Sequence, residues 1–254
     1  RWLQDMLKMP VVLGNDSDLA GLAEARFGAG KGCRVVLYSN VGSGIGGALV
    51  VGGRLHQGAA GIASEIGHLR PGLHCREPDE TVESLASGWA IAQNAQAKLL
   101  NPELHSLSAR MFQDQPLDPE GIRSRLVELE EAGEKAAADL LNRCNGYLEQ
   151  ISTKLLADAA RDGNELARDV FQHACQAYGW ALAQAITLLG PDVVAVGGGV
   201  AQLGEELFLT PLRHEVNRYV FPSLRETYRI VPALLGEEVV VHGALALAAH
   251  ADTA

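Results

Sequence analysis

Glycines at 42, 44, 46 and 47 fall within the stretch Val35 to Gly58, VVLYSNVGSGIGGALVVGGRLHQG, and their chemistry is that of an anion cradle. With no Cβ in the way, successive backbone N–H groups of Gly42, Ser43, Gly44 and Gly46 can converge on a phosphate. A second run, Gly197-Gly198-Gly199, follows the apolar segment Asp192 to Val196. Ligands of open α/β sheets sit beyond the carboxyl ends of strands, so this run is a second candidate nucleotide contact. Groups able to move a proton or hold a hydroxyl are sparser. Glu65 and His68 are three residues apart in GAAGIASEIGHL, a spacing that turns both side chains to one pocket if the turn is helical. Asn15, Asp16 and Ser17 precede a helical pattern, and each can cap its first turn; a helix cap is the local reading of Asp16. His68, His74 and Cys75 supply three metal-type donors, one fewer than a closed zinc site wants, and zinc is not expected.

The elements that must position these groups can be read from the periodicity. Gly42, Gly44 and Gly47 also satisfy G-x-G-x-x-G, but a dinucleotide fingerprint must open a helix. Here the loop leads instead into Ala48 to Val51, short and β-branched, and then a Gly52-Gly53 turn. The arrangement is a hairpin: strand Val35 to Tyr38, glycine loop, strand Ala48 to Val51. A phosphate loop inside a hairpin belongs to the actin-like ATPases and sugar kinases.

Pro10 opens an expected strand, Val11 to Leu13, that delivers Asp16 to a helix whose apolar face is Leu19, Leu22, Ala23 and Phe27. Leu85, Ala86, Trp89 and Ile91 announce another helix. Residues 101 to about 162 are helix-forming and charge-rich, with turns at Pro102, Pro116 and Pro119, and read as a helical cap with solvated faces. A longer helix, Glu165 to Leu189, is stopped by Gly190-Pro191. The strand Asp192 to Val196, a strand Arg229 to Leu234 and a last helix, His242 to His250, complete the pattern.

With 254 residues and 47% hydrophobic content, the chain can bury a core as one large domain or two small ones. Its 21 Lys+Arg against 31 Asp+Glu make it acidic. It has no basic run to follow a nucleic-acid backbone, so no nucleic-acid partner is expected. A phosphate site must then rest on backbone amides and a divalent cation more than on basic side chains. The four cysteines, Cys33, Cys75, Cys144 and Cys175, are widely spaced without a C-x-x-C pair, as in a reduced, cytoplasmic protein. No apolar run is long enough to cross a bilayer, and no membrane partner is expected.

Taken in order, PVVLGNDSDLAGLAE (Pro10 to Glu24), VGSGIGG (Val41 to Gly47), Gly53 to Gly58, SEIGH (Ser64 to His68), ESLASG (Glu83 to Gly88), PDVVAVGGGV (Pro191 to Val200) and the terminal HGALALA resemble the ROK family of repressors, uncharacterised reading frames and sugar kinases. The resemblance covers most of the chain except roughly residues 101–151, which read as a helical insertion. It implies an α/β, actin-like ATPase (ribonuclease H-like) fold, with residues 1–254 as the large domain. Residues 1–30 and 241–254 then lie at the hinge toward a smaller N-terminal domain. It also implies ATP and Mg2+ as cofactors, a hexose or amino-sugar in the cleft, and a homodimer. By position, Asp16 resembles the family's catalytic base and Asn15 its sugar-binding Asn. Glu65, His68 and Glu83 resemble its sugar-hydroxyl ligands, Gly42 to Gly46 its second phosphate loop, and Gly197, Gly198 and Gly199 its adenosine loop.

There are two departures. The family's zinc motif, C-x-C-G-x-x-G-C-L-E, reads HCREPDETVE here, so thiolates are missing while Glu83 remains. The first phosphate loop, Asp-x-Gly-Gly-Thr, is not found, and the N-terminal domain that carries it is expected to lie outside this chain. The implied activity is phosphorylation of a hexose or N-acetylhexosamine by ATP. The alternative is the sugar-sensing domain of a transcriptional repressor.

Overall fold

The computed structural model describes residues 2–73, 75, 77–100, 127 and 134–251. Among them, five strands form one mixed sheet in the order β3-β2-β1-β4-β5: β1 Val35–Val41, β2 Ile45–Val51, β3 Arg54–Leu55, β4 Val193–Gly197 and β5 Arg229–Pro232. β2 runs antiparallel to both of its neighbours, β1 and β3, as tight turns require. In contrast, β4 lies parallel to β1, and β5 parallel to β4. The carboxyl ends of β1, β4 and β5 therefore meet at one edge.

Alternation along the strands divides the core between two faces. Leu37, Val41, Val194 and Val196 point into the larger cluster, with Tyr178, Leu182 and Ile186. These come from the central helix α7, Glu165–Leu189, which is capped by Asn164 at its start and by left-handed Gly190 (φ 54°) at its end. On the other face Tyr38, Ala48 and Ala195 meet Ala20 of α2, Asp16–Phe27, together with Val239 and Val240 of the last helix, α9, Val239–Ala251. Small residues allow the close approach: a Cβ on Gly21 would fall 2.5 Å from that of Ala48, and one on Gly243 2.0 Å from the Leu19 carbonyl oxygen. Among the described residues, further α-helices are α1 Trp2–Leu7, α3 Val82–Ala86, α4 Gly88–Leu100, α5 Lys135–Arg143, α6 Thr153–Arg161 and α8 Thr210–Tyr219. Among the described residues no helix is long and apolar enough to cross a membrane.

Four sequence expectations change. Val11 to Leu13 is not a strand; Val12 and Leu13 are exposed. β-branched residues favour the extended backbone, but a strand needs a ladder partner, and none of the five strands pairs with this segment. The hairpin is tighter than expected. Val41 pairs with Ile45, so the loop is only Gly42-Ser43-Gly44, and Gly46 and Gly47 lie within β2. β5 stops at Pro232: the Ala233 amide still donates to the Val196 carbonyl of β4 at 2.9 Å, but the amides of Leu234 and Leu235 turn away to Glu24 Oε1 at 2.9 and 2.8 Å. The last helix begins at Val239, three residues before His242. Most of the stretch 101–151 lies outside the described residues. Its end does not: α5 sends Ala137, Leu140 and Leu141 into the main core, with Cys144 beside them.

Candidate functional site

Asp16 owes its position to its neighbour. Asn15 is the N-cap of α2, extended (φ −68°, ψ 146°), and its Oδ1 accepts the amides of Ser17 at 2.9 Å and Asp18 at 3.2 Å. The cap role read for Asp16 thus belongs to Asn15, which keeps its side-chain amide free of the cap. Asp16 is the first helical residue. Among the described residues its Oδ1 accepts only the Ser17 amide, at 2.8 Å, and its side chain is exposed.

Beside it lies a cleft of about 440 Å³, lined by Asp16, Ser17, Tyr38, Asn40, Gly197, Gly198, Gly199, Gln202, Pro232, Ala233 and Glu237, among others. Asn40, Gly197 and Pro232 stand at or near the carboxyl ends of β1, β4 and β5, the edge where a ligand of a parallel sheet binds. The two glycine loops are packed against each other there. Gly198 has φ 89°, and a Cβ on it would fall 2.4 Å from the Val41 carbonyl oxygen; the Val200 amide donates to that same oxygen at 3.0 Å. Only glycine satisfies both the positive φ and the close approach.

Not every amide of the hairpin loop can face a phosphate. Gly42 N–H donates to the Gly44 carbonyl at 2.9 Å, and Ile45 N–H to Glu83 Oε2 at 2.7 Å. Among the described residues, the N–H groups of Ser43, Gly44, Gly198 and Gly199 donate to no protein acceptor. These four are the amides left for an anion.

The remaining sequence candidates gather around β2. A Cβ on Gly46 would fall 2.3 Å from Ser17 Oγ, one on Gly47 2.5 Å from the Ser64 carbonyl oxygen, and one on Gly67 2.2 Å from the Ile45 carbonyl oxygen. The start of α2 and the SEIGH segment therefore flank the same strand end from opposite faces. Ser64 is left-handed (φ 61°), a conformation that a non-glycine residue holds at a cost. It throws the chain into the 3₁₀ turn Ile66–His68, with Glu65 at its start. Glu65 and His68 are exposed and, among the described residues, make no side-chain hydrogen bond or ion pair. Neither they nor Glu83 line the cleft with Asp16. His74 lies outside the described residues, and Cys75 is buried, its thiol pushed up by burial and by Glu80.

Several positioning groups carried no sequence signal. Tyr178 donates to Ser39 Oγ at 2.7 Å, and Ser39 donates to the Gly46 carbonyl at 2.9 Å, a buried relay from α7 to the hairpin. Ser17 Oγ donates to Asn40 Oδ1 at 3.0 Å, tying the start of α2 to β1. Glu24, fully buried, accepts the amides of Ala29, Leu234 and Leu235, and so pins the loop after β5 to α2. A carboxylate within an apolar helical face reads as a break in the pattern; its partners about 210 residues away are visible only in the fold.

Known proteins resemble this arrangement. The family model described as ROK family matches residues 1–251. The glucokinase of Streptomyces coelicolor is 30% identical over 264 residues, covering 99% of this chain and 73% of that protein. A crystal structure of a ROK family glucokinase from Streptomyces griseus in complex with glucose and AMPPNP superposes with a TM-score of 0.71 at 30% identity, over 96% of this chain and 70% of that one. The xylose repressor of Caldicellulosiruptor bescii is 22% identical over 96% of this chain, which spans 53% of that repressor.

Proposed function

The chain belongs to the ROK family, with the actin-like ATPase fold of its sugar kinases, and on that premise we propose that it is the larger part of an ATP-dependent kinase of a hexose or N-acetylhexosamine. The observation that carries the reading is one cleft holding both the Asp16 carboxylate and the Gly197–Gly199 loop, at the carboxyl ends of three parallel strands. Nucleotide phosphates and an acceptor hydroxyl have to meet in such a place.

In this reading the free amides of Ser43, Gly44, Gly198 and Gly199 bind phosphate oxygens. The described cleft lining offers oxygen donors from Asp16, Asn40, Gln202 and Glu237 and neither thiolate nor imidazole. That set suits a hard cation such as Mg2+, which when bound neutralises charge on the transferred phosphoryl group. Asn15 and Asp16 hold the sugar hydroxyl. Asp16 accepts its proton as the new O–P bond forms and the bond to the leaving ADP breaks. Glu65, His68 and Glu83, which stand outside the cleft lining, are assigned further sugar contacts on the family likeness alone, and a homodimer follows the same likeness. Zinc has no part in this reading.

The test is ADP release by the full natural protein with ATP, Mg2+ and a panel of hexoses and N-acetylhexosamines. Sugar-dependent turnover supports the kinase. The match to the xylose repressor favours one other reading, a sugar sensor; sugar binding by calorimetry without turnover on any sugar would establish that instead.

A further inference from the structure

We propose that the Tyr38 hydroxyl is a hydrogen-bond donor to an anionic oxygen of the ligand in the cleft; the inference rests on the reading above, in which that oxygen belongs to a nucleotide phosphate. The ring is held firmly: Tyr38 is 3% exposed and packs among Ala20, Ala48 and Ala195. Its hydroxyl sits beneath Gly197 at the end of β4. A Cβ there would fall 2.7 Å from Oη and 3.2 Å from the ring, so glycine at 197 leaves the room that the hydroxyl occupies. Tyr38 lines the cleft, and among the described residues no protein group hydrogen-bonds to its hydroxyl.

Buried tyrosine hydroxyls ordinarily find a partner. Tyr178 obeys the rule through Ser39, at 2.7 Å. A buried ring whose only polar atom opens on a cleft lined by the Gly197–Gly199 loop has its partner in the ligand. Donor character fits as well. A phenol, with an ordinary value of about 10, keeps its proton at neutral pH. Glu24 is already satisfied by three backbone amides and does not compete for that proton. The tyrosine is a positioning contact for the phosphate chain, beside the base and distinct from it.

Tyr38→Phe removes the hydroxyl and keeps the ring, so the fold is retained. Calorimetry on the full natural protein with AMPPNP plus Mg2+, and separately with adenosine, reads the contact. The expected result is a Kd for AMPPNP raised about 10- to 150-fold, the range for one lost hydrogen bond to a charged group, with the adenosine Kd unchanged. Equal AMPPNP affinity in both proteins overturns the proposal and leaves the cleft reading intact. Equal weakening of adenosine also overturns it, because the hydroxyl then serves the nucleoside or the packing. A wild-type protein that binds no AMPPNP overturns the nucleotide reading and this inference with it.

Discussion

Glu83 Oε2 accepts the amide of Ile45 at 2.7 Å, and a Cβ on Gly44 would fall 2.7 Å from the same oxygen. The carboxylate assigned to a sugar hydroxyl by family likeness is therefore also the clasp of the glycine hairpin. The clasp continues inward: Gly88 N–H donates to the Gly42 carbonyl at 2.6 Å, and Thr153 Oγ1 to the Gly88 carbonyl at 2.7 Å. In the proposed kinase, a sugar contact at Glu83 is coupled to the shape of the glycine hairpin through one side chain.

Glu83→Ala should accordingly cost about 1 to 3 kcal/mol of stability, the penalty for an amide left without its acceptor. Glu83→Gln keeps an acceptor oxygen and should cost less than about 1 kcal/mol. Urea denaturation of both variants checks this. Equal, negligible effects would mean that the hairpin holds its shape without Glu83.

The division of labour at the start of α2 separates two adjacent residues. Asn15→Ala should cost about 1 kcal/mol, as caps do. Asp16→Asn should leave the melting temperature nearly unchanged, because the capping oxygen is that of Asn15. Thermal melts that show the reverse order would return the cap to Asp16.

Gly198→Ala meets two obstacles at once. Its φ of 89° lies where L-residues pay about 1 to 2 kcal/mol. Its Cβ would also press on the Val41 carbonyl oxygen, and overpacking adds about 1 to 3 kcal/mol. The expected loss is about 2 to 5 kcal/mol, read by urea denaturation, with nucleotide affinity lost alongside. A stable Gly198→Ala protein with normal affinity would mean that the two glycine loops are not locked together.

Stability should fall on the alkaline side. Burial raises the Cys175 thiol to about 12, with Glu215 adding to it, and the Tyr38 phenol to about 12; burial raises the Tyr178 phenol as well. These groups hold their protons more tightly folded than unfolded. Their contribution is complete below the unfolded values, about 8.5 for a thiol and 10 for a phenol, and is lost as pH rises from there toward about 12. Urea midpoints measured from pH 7 to 10.5 should decline above about pH 8.5, with a shallower decline in Cys175→Ala. A midpoint that rises across that range would contradict the burial of these groups.

Much of this was legible in the residues. The Val35 to Gly58 hairpin, the 165–189 helix and its Gly190 stop all follow from local pattern, because turn glycines and 3.6-residue periodicity act over a few residues. The strand at Val11 to Leu13 was misread because propensity fixes a backbone preference while a ladder needs a neighbour. From local sequence alone Asp16 reads as a cap, because three adjacent side chains can each reach the same amides, and only the resemblance points to a base; backbone angles at Asn15 decide which residue caps. Tyr38, Ser39, Glu24 and Asn40 were invisible as site residues. Each matters through a partner on another element, such as Ser17 for Asn40 and Leu234 for Glu24.

The central claim is that Asp16 takes the proton of an acceptor hydroxyl in the cleft. In the full natural protein, kcat for ADP formation by Asp16→Asn against wild type, with the best sugar at saturation, tests it most directly. Loss of a general base should lower kcat by about two to four orders of magnitude, while sugar affinity and melting temperature stay near those of wild type. An Asp16→Asn protein with wild-type turnover would contradict the account.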